Sequence, residues 1–424
     1  MNKLPAGWKL SRLEELATVE RGKFSARPRN DPKFFDGDVP FVQTGDVSAA
    51  GTYLVYHKQT LNELGKTVSK TFPKGSILIT IAANIGETAI TTYEVACPDS
   101  VVAIIPKPAK AHVFWLKKVL ETLKDDLDSK ATQNAQKNIN LEVLRPLEIV
   151  TPPIEEQTKI AQILSTWDKA IATTERLLAN SQQQKNMLTN QLLNGQKRFS
   201  EFVTSQGYQR TSHGSIPSDW SYVSIAEIAN QESKVNSAQS DLPVLSCSKY
   251  DGLVDSLKYF KKKVYSDDTS KYRVVEFGDF AYPSNHIEEG SIGYQDLYPA
   301  GIVSPIYTVF RTNDAVDDYF LYRTLKTDKY RQIFSAATSA SVDRRGSLRW
   351  KEFSKIQVPL PSLPEQQKIA QVLSTADAEI ANLQAQLDKL KLEKKALMQQ
   401  LLTGKRRVRL DDEEEDMAPI RRVG

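Results

Sequence analysis

Apolar residues recur along one stretch of the chain at alternating steps of four and three: Ile160, Leu164, Trp167, Ile171, Leu178, Leu188 and Leu192. Thr174, Ser181 and Lys185 fill the steps between. That is the seam of a heptad helix. A second stretch sets Ile369, Leu373, Ala376, Ile380, Leu383, Leu387, Leu390, Leu397 and Leu401 on the same steps, with Lys394 among them. Both stretches follow prolines (Pro152-Pro153; Pro361 and Pro364) and carry acids in the first turn. They stop at Gly195 and Gly404, with basic residues just beyond. At ~1.5 Å per residue each predicts a helix roughly 55–60 Å long. Lys185 and Lys394 hold matching seam positions. They would repel in a parallel in-register pair, so the pattern favours antiparallel packing.

Ahead of each helix the period changes. Short apolar runs bounded by turn residues predict strands. Val39–Val42, Ile77–Ile79 after the Pro73-Lys74-Gly75 turn, Val101–Ile105 and Leu147–Val150 form the first set. Leu242–Leu245, Phe280–Tyr282 after the turn that ends Val275-Glu276-Phe277-Gly278-Asp279, Ile306–Phe310 and Ile356–Pro359 form the second. A short helix is predicted in each, over Phe114–Leu123 and Tyr319–Leu325. The openings also correspond: Leu4-Pro5-Ala6-Gly7-Trp8 and Ile216-Pro217-Ser218-Asp219-Trp220.

The helical part is nearly a verbatim duplication. Glu156–Thr166 reads E-Q-T-K-I-A-Q-I-L-S-T and Glu365–Thr375 reads E-Q-Q-K-I-A-Q-V-L-S-T, with Pro152 returning as Pro361 at an offset of 209. A segment kept this constant does one fixed job, and the divergent segments do a variable one. The expected organisation is a globular part at 1–151, a helix at 152–199, a polar linker at 200–215, a second globular part at 216–360, a helix at 361–408 and an acidic tail at 409–424. The fold class is α+β with a pseudo-twofold internal repeat.

Composition alters this picture little. At 424 residues the chain is too long for one ordinary core. The net charge of +4 is modest, but the acid is concentrated in Asp411–Asp416, which leaves a distinctly basic body. The tail reads as a disordered solubilising end. No apolar run approaches a membrane span and the opening residues lack a signal-peptide pattern, so a cytoplasmic location and no membrane partner are expected. Two distant cysteines, Cys97 and Cys247, read as reduced thiols, with a disulfide between them as the alternative. Four scattered histidines give no metal-ligand spacing, so no metal site is expected.

Catalytic patterns are lacking. Gly65-Lys66-Thr67 resembles the end of a phosphate loop, but Thr60 stands where the first glycine is required. No N/D-P-P-Y/F run of an amino-methyltransferase occurs, since Pro152-Pro153 is preceded by Thr151 and followed by Ile154. Glu393-Lys394-Lys395 lies within a heptad helix and has no acidic partner strand, which makes it a helix face rather than a nuclease motif.

The proline-led runs at 152–164 and 361–373, the L-P-x-G-W opening with its I-P-x-D-W echo, and Asn138-Ile139-Asn140 ahead of the first helix together resemble the specificity subunits of type I restriction–modification enzymes. The resemblance covers nearly the whole chain. It implies two target recognition domains, each reading half of a split double-stranded DNA sequence. It implies that the repeated helices pack antiparallel, space the domains and dock two methyltransferase subunits, after which motor–nuclease subunits join. It further implies no active site and no cofactor on this chain, with S-adenosylmethionine, ATP and Mg used by the other subunits. The chain departs from the pattern at Ser347-Leu348-Arg349, which replaces the second N-I-N.

Base reading needs directional donors and acceptors, and phosphate contact needs cations. The loop before the first helix supplies Lys130, Thr132, Gln133, Asn134, Gln136, Lys137 and Asn138. Its counterpart supplies Ser339, Ser341, Arg344, Arg345 and Arg349, a more basic set suited to a different half-site. Arg21, Lys23, Arg27 and Arg29 in the first half, and Lys261, Lys262 and Lys263 in the second, are candidate phosphate contacts. Gln43 and Thr44, on the loop expected after a strand, are further candidates. Alternatives are a specificity subunit of a related two-domain restriction system, or a coiled-coil assembly protein that does not bind DNA.

Overall fold

Each heptad stretch folds as one helix: Ile154–Leu193, the central helix, and Leu363–Leu401, the distal helix. The computed structural model describes residues 4–82, 84–131, 138–339 and 347–410. Pro364 lies inside the first turn of the distal helix, where its missing N–H would have had no partner. Gly195 and Gly404 stop the helices with φ of +66° and +73°, the left-handed region that glycine enters without strain. The Gly195 N–H donates to the Leu192 carbonyl at 3.1 Å and the Gln196 N–H to the Gln191 carbonyl at 2.9 Å. A Cβ on Gly195 would stand 2.3 Å from Pro217, and one on Gly404 2.6 Å from Pro5. Each glycine therefore also lets its helix end close on one of the duplicated L-P/I-P openings.

The chain divides into two units, Met1–Thr174 with Gln386–Gly424 and Glu175–Ala385. In the first, a five-stranded sheet runs in the order Ala17–Arg21, Val101–Pro106, Ile77–Thr80, Thr88–Thr91, Tyr53–Leu54. Ile77–Thr80 is buried on both faces, which explains its unbroken apolar run. A four-stranded sheet orders Gln59–Leu61, Phe35–Phe41, Val95–Ala96 and Thr71–Phe72. Lys9–Arg12 pairs antiparallel with Glu148–Thr151, so the start of the domain is tied to the strand that leads into the central helix. The main core joins Trp115, Leu116 and Leu120 of the helix Val113–Thr122 to Ile160 and Leu164 of the central helix and Leu401 of the distal helix.

The second unit has a four-stranded sheet ordered Ala229–Glu232, Tyr307–Thr312, Phe280–Pro283, Gly293–Tyr294. Its core is aromatic: Phe280 stacks on Phe310 at 4.9 Å, and Phe353 packs 4.6 Å from Tyr282. Ser221–Ser224 pairs with Gln357–Leu360, repeating the ribbon of the first unit. The helix Asp318–Leu325 supplies Phe320 to a cluster with Leu192, Ile369 and Leu373.

The helices are antiparallel. In the first unit the beginning of the central helix meets the end of the distal one, and in the second unit the roles are exchanged. Every seam position is buried or half-buried. Ile160, Leu164, Trp167, Ile171, Leu387, Leu390, Leu397 and Leu401 lie in the first unit, and Leu178, Leu188, Leu192, Ile369, Leu373, Ala376, Ile380 and Leu383 in the second. The seam lysines do not repel. Lys394 pairs with Asp168 and Lys185 with Asp377, each across to the opposite helix.

Several local expectations change. The polar stretch 200–215 is not an open linker: Tyr208–Thr211 and Gly214–Pro217 form a hairpin after a short turn of helix at Ser200–Phe202. The turn at Gly278, with φ of +91°, does lead into a buried strand, Phe280–Pro283, but a further strand, Arg273–Glu276, precedes it. The strand expected at Leu242 begins at Leu245. Gly65 lies in the short helix Glu63–Thr67, where a Cβ would stand 2.1 Å from the Phe34 carbonyl, so close packing and not phosphate binding accounts for it. Cys97 and Cys247 are free thiols, one in each unit, and burial pushes both up to about 12. Among the described residues no helix is long and apolar enough to cross a membrane.

Candidate nucleic-acid interface and helix clamps

The described residues that follow each polar run bond beside the end of a buried strand, Ile77–Thr80 in the first unit and Phe280–Pro283 in the second. In the first unit Asn138 bridges Ala82, and the Ile139 N–H donates to the Ile81 carbonyl at 3.0 Å. Ile139 is buried, and the Asn140 side chain accepts from the Val143 N–H at 3.1 Å, capping the short helix Leu141–Leu144. In the second unit the Leu348 N–H donates to the Ser284 carbonyl at 2.8 Å, Leu348 is buried, and Arg349 precedes the short helix Trp350–Phe353. The altered N-I-N thus keeps its backbone role: a buried aliphatic residue anchors the loop in both units. What changes is the flanking chemistry, Asn to Ser before it and Asn to Arg after it.

Thr132, Gln133, Asn134, Gln136, Lys137, Ser341, Arg344 and Arg345 lie outside the described residues, as does the side chain of Ser339, whose backbone ends the helix Asp328–Ser339. The tail from 411 onward also lies outside them. Lys130, Asn138 and Arg349 are exposed, with Lys130 paired to Asp126 at 2.6 Å.

Among the basic candidates, Arg21 and Arg29 meet at one residue. Arg21 Nε donates to the Asp99 carbonyl at 2.6 Å, and Arg29 pairs with the Asp99 carboxylate at 2.8 Å. Arg27 folds back on the Ala26 carbonyl at 2.7 Å. Lys23, Lys261 and Lys262 are exposed, while Lys263 pairs with Asp267. Gln43 and Thr44 are not on an open loop. Thr44 starts the helix Thr44–Ala49, and Gln43 donates to Gln59. His286, Glu288 and Glu289 stand close enough to share a cation, but such exposed acidic groups are common on surfaces.

The retained Glu-Gln pair at each helix start has a function that pattern reading missed. Gln157 is buried; its Nε2 donates to the Pro152 and Lys110 carbonyls, both at 3.0 Å, and its Oε1 accepts from the His112 N–H at 2.9 Å. Gln366 repeats this with the Pro361 and Ala315 carbonyls at 2.9 and 3.2 Å and the Asp317 N–H at 2.9 Å. One amide therefore satisfies a helix start and the approach to the neighbouring domain helix. Glu156 accepts from Trp8 Nε1 at 3.1 Å and pairs with Arg407; Glu365 accepts from Trp220 Nε1 at 3.2 Å and from Arg198 at 2.8 Å through two nitrogens. Arg198 and Arg407 share the offset of 209, which is the sequence signal that could have revealed them.

The clamps are unequal. In the second unit Asp219 adds a bond to Arg198 at 2.6 Å, where the first has Gly7. Burial works to raise the Asp219 carboxyl, but the Thr204 N–H and the Arg198 guanidinium outweigh it and hold the group at about 2, against an ordinary 3.8. Because the folded value is depressed, the stabilisation is complete above the unfolded value and is lost as pH falls through the folded one. The advantage of the unaltered chain over Asp219→Asn in melting temperature should shrink between about pH 4 and pH 2. A constant gap across that window would show that the carboxylate contributes nothing through its charge.

A family model described as the type I restriction modification DNA specificity domain matches twice, over residues 5–180 and 217–392. The type I restriction enzyme MjaVIII specificity subunit of Methanocaldococcus jannaschii is 24% identical over 311 residues, covering 70% of this chain and 70% of its own length. The MjaIX specificity subunit from the same organism is 26% identical over 257 residues, covering 57% and 56%. Among solved structures, the S subunit of a type I restriction–modification system from M. genitalium matches with a TM-score of 0.57 at 16% identity, over 95% of this chain and 97% of that one. The HsdS subunit from Thermoanaerobacter tengcongensis matches with a TM-score of 0.50 at 17% identity, over 95% and 98%. The family model falls on both globular parts and on most of both long helices, so the chain belongs to the type I restriction–modification DNA specificity family.

Proposed function

We propose that this chain is the specificity subunit of a type I restriction–modification complex and reads a bipartite double-stranded DNA target. The observation that carries this reading is the repeated anchor: after two polar runs of divergent sequence, Ile139 and Leu348 bond in the same way beside a buried strand, while the long helices of the two halves hardly diverge. The loops carry sequence reading, and the exposed cations Lys23, Lys261 and Lys262 contribute phosphate contact. The repeated helices present two equivalent surfaces, which suits two methyltransferase subunits; motor–nuclease subunits complete the assembly. The chain itself performs no chemistry. S-adenosylmethionine, ATP and Mg belong to the partner subunits.

Exchanging residues 130–138 for the corresponding loop of a different specificity subunit tests this. Methylation mapping of the reconstituted complex should show one half-site changed and the other retained. Alteration of both half-sites, or of neither, would remove the loop from base reading. A chain that with its methyltransferase partner shows no preference among duplexes would favour the assembly-protein alternative.

A further inference from the structure

A seam of Leu and Ile looks nearly the same after a slip of one heptad, so apolar packing alone fixes register weakly. Lys185 and Lys394 are charged seam residues, with 15% and 19% of their side chains exposed. In the present register each meets an aspartate of the opposite helix, and those aspartates, Asp377 and Asp168, are themselves repeat equivalents. Slipping the distal helix seven residues one way would set Lys185 against Ala370 and Lys394 against Ala161, both buried. Slipping it the other way would set Lys394 near Glu175 but leave Lys185 against Gln384. Neither alternative gives both lysines a carboxylate, and a largely buried ammonium without one is costly.

Each aspartate also touches its own globular domain. Asp168 accepts from Thr52 Oγ1 at 3.2 Å and pairs at 3.0 Å with Lys118 of the helix Val113–Thr122. Asp377 accepts from the hydroxyl of Tyr319 on the equivalent helix Asp318–Leu325. One carboxylate thus joins three elements in each unit: its own long helix, the lysine of the antiparallel helix, and the domain.

We propose that Asp168–Lys394 and Asp377–Lys185 are register pins, positioning residues that set where each recognition domain stands along the helix pair and so which spacer length is accepted between half-sites. This rests on the reading of the chain as a bipartite DNA reader.

The test uses the full chain in complex with its methyltransferase partner. Methylation rates are measured on duplexes that keep both half-sites and carry the native spacer or one longer or shorter by a base pair. Lys185→Met keeps a long stem and good helix propensity while removing the charge. It should melt close to the unaltered chain and keep its half-sites, yet lose about tenfold in discrimination between spacers. Lys394→Met repeats the measurement in the other unit. Lys185→Asp, which opposes two carboxylates, should relax discrimination at least as far. Lys185→Asp with Asp377→Lys should restore it, because the Tyr319 hydroxyl can accept from a lysine as readily as it donates to an aspartate. An unaltered spacer profile in both methionine variants overturns the proposal, as does a double variant no better than Lys185→Asp. Failure of the unaltered complex to require both half-sites would count against the bipartite reading itself.

Discussion

Glu365→Ala should destabilise the second unit by about 3–5 kcal/mol, the usual cost of removing one partner from a buried ion pair. Glu365 is 1% exposed and accepts three bonds, from Arg198 Nε and Nη2 at 2.8 Å and from Trp220 Nε1 at 3.2 Å. Truncation leaves an indole N–H without an acceptor and a guanidinium with only part of its ring of oxygens. For a body of 150–250 residues this corresponds to a fall of about 6–20 °C in melting temperature. The equivalent Glu156→Ala should cost less, because its Arg407 is 46% exposed and can turn to water, whereas the Arg198 side chain is 10% exposed. Thermal and urea unfolding of the full chain and the two variants would measure both effects. A loss below about 1 kcal/mol for Glu365→Ala would mean that the clamp is not what holds that helix start, and equal losses would mean that the exposure of the arginine does not set the cost.

Inserting seven residues after Thr174 and seven after Ala385 should change the spacer preference and leave both half-sites intact. Those points are the boundaries of the two units, so both partners of every clamp, loop anchor and seam pair stay in the same unit. A heptad preserves the seam phase and lengthens each helix by about 10 Å. Transmitted fully along the duplex, that adds up to about 3 base pairs of spacer. Methylation-site mapping reads the result directly. A lengthened chain that still methylates the original spacer at the original rate would refute the helices as a ruler.

Much of the fold was legible along the chain because duplication printed it twice. Alternating four-and-three spacing defines both helices, and proline and glycine mark their ends for local reasons: a missing N–H and a left-handed φ. The candidate site was legible as composition only. A polar run such as Lys130–Asn138 declares donors and acceptors without saying what positions them. Gln43 and Thr44 show the weakness of that reading, since a run that looks like a loop is the start of a helix, held by the Asp46 carboxylate at 3.0 Å from the Gln43 N–H. The hairpin of Tyr208–Thr211 and Gly214–Pro217 was missed because its first strand is polar and half-exposed and its second buries only Ile216 and Pro217, which leaves no apolar alternation to detect.

Periodicity alone therefore determined the helices, their repeat and the division between constant and variable parts, because those properties depend on residues near one another in the chain. Lys185 and Lys394 even argued for the antiparallel direction. Their partners did not follow: Asp168 and Asp377 look like ordinary helix-face acids until the opposite helix and the domain helix arrive. The same holds for Glu156 and Glu365, acids suited to any first helical turn, whose acceptor roles toward Trp8, Trp220, Arg198 and Arg407 exist only once distant segments converge. Local geometry is set by the backbone and short-range spacing, whereas the partner of a buried charge is set by whatever long-range packing brings within hydrogen-bond reach.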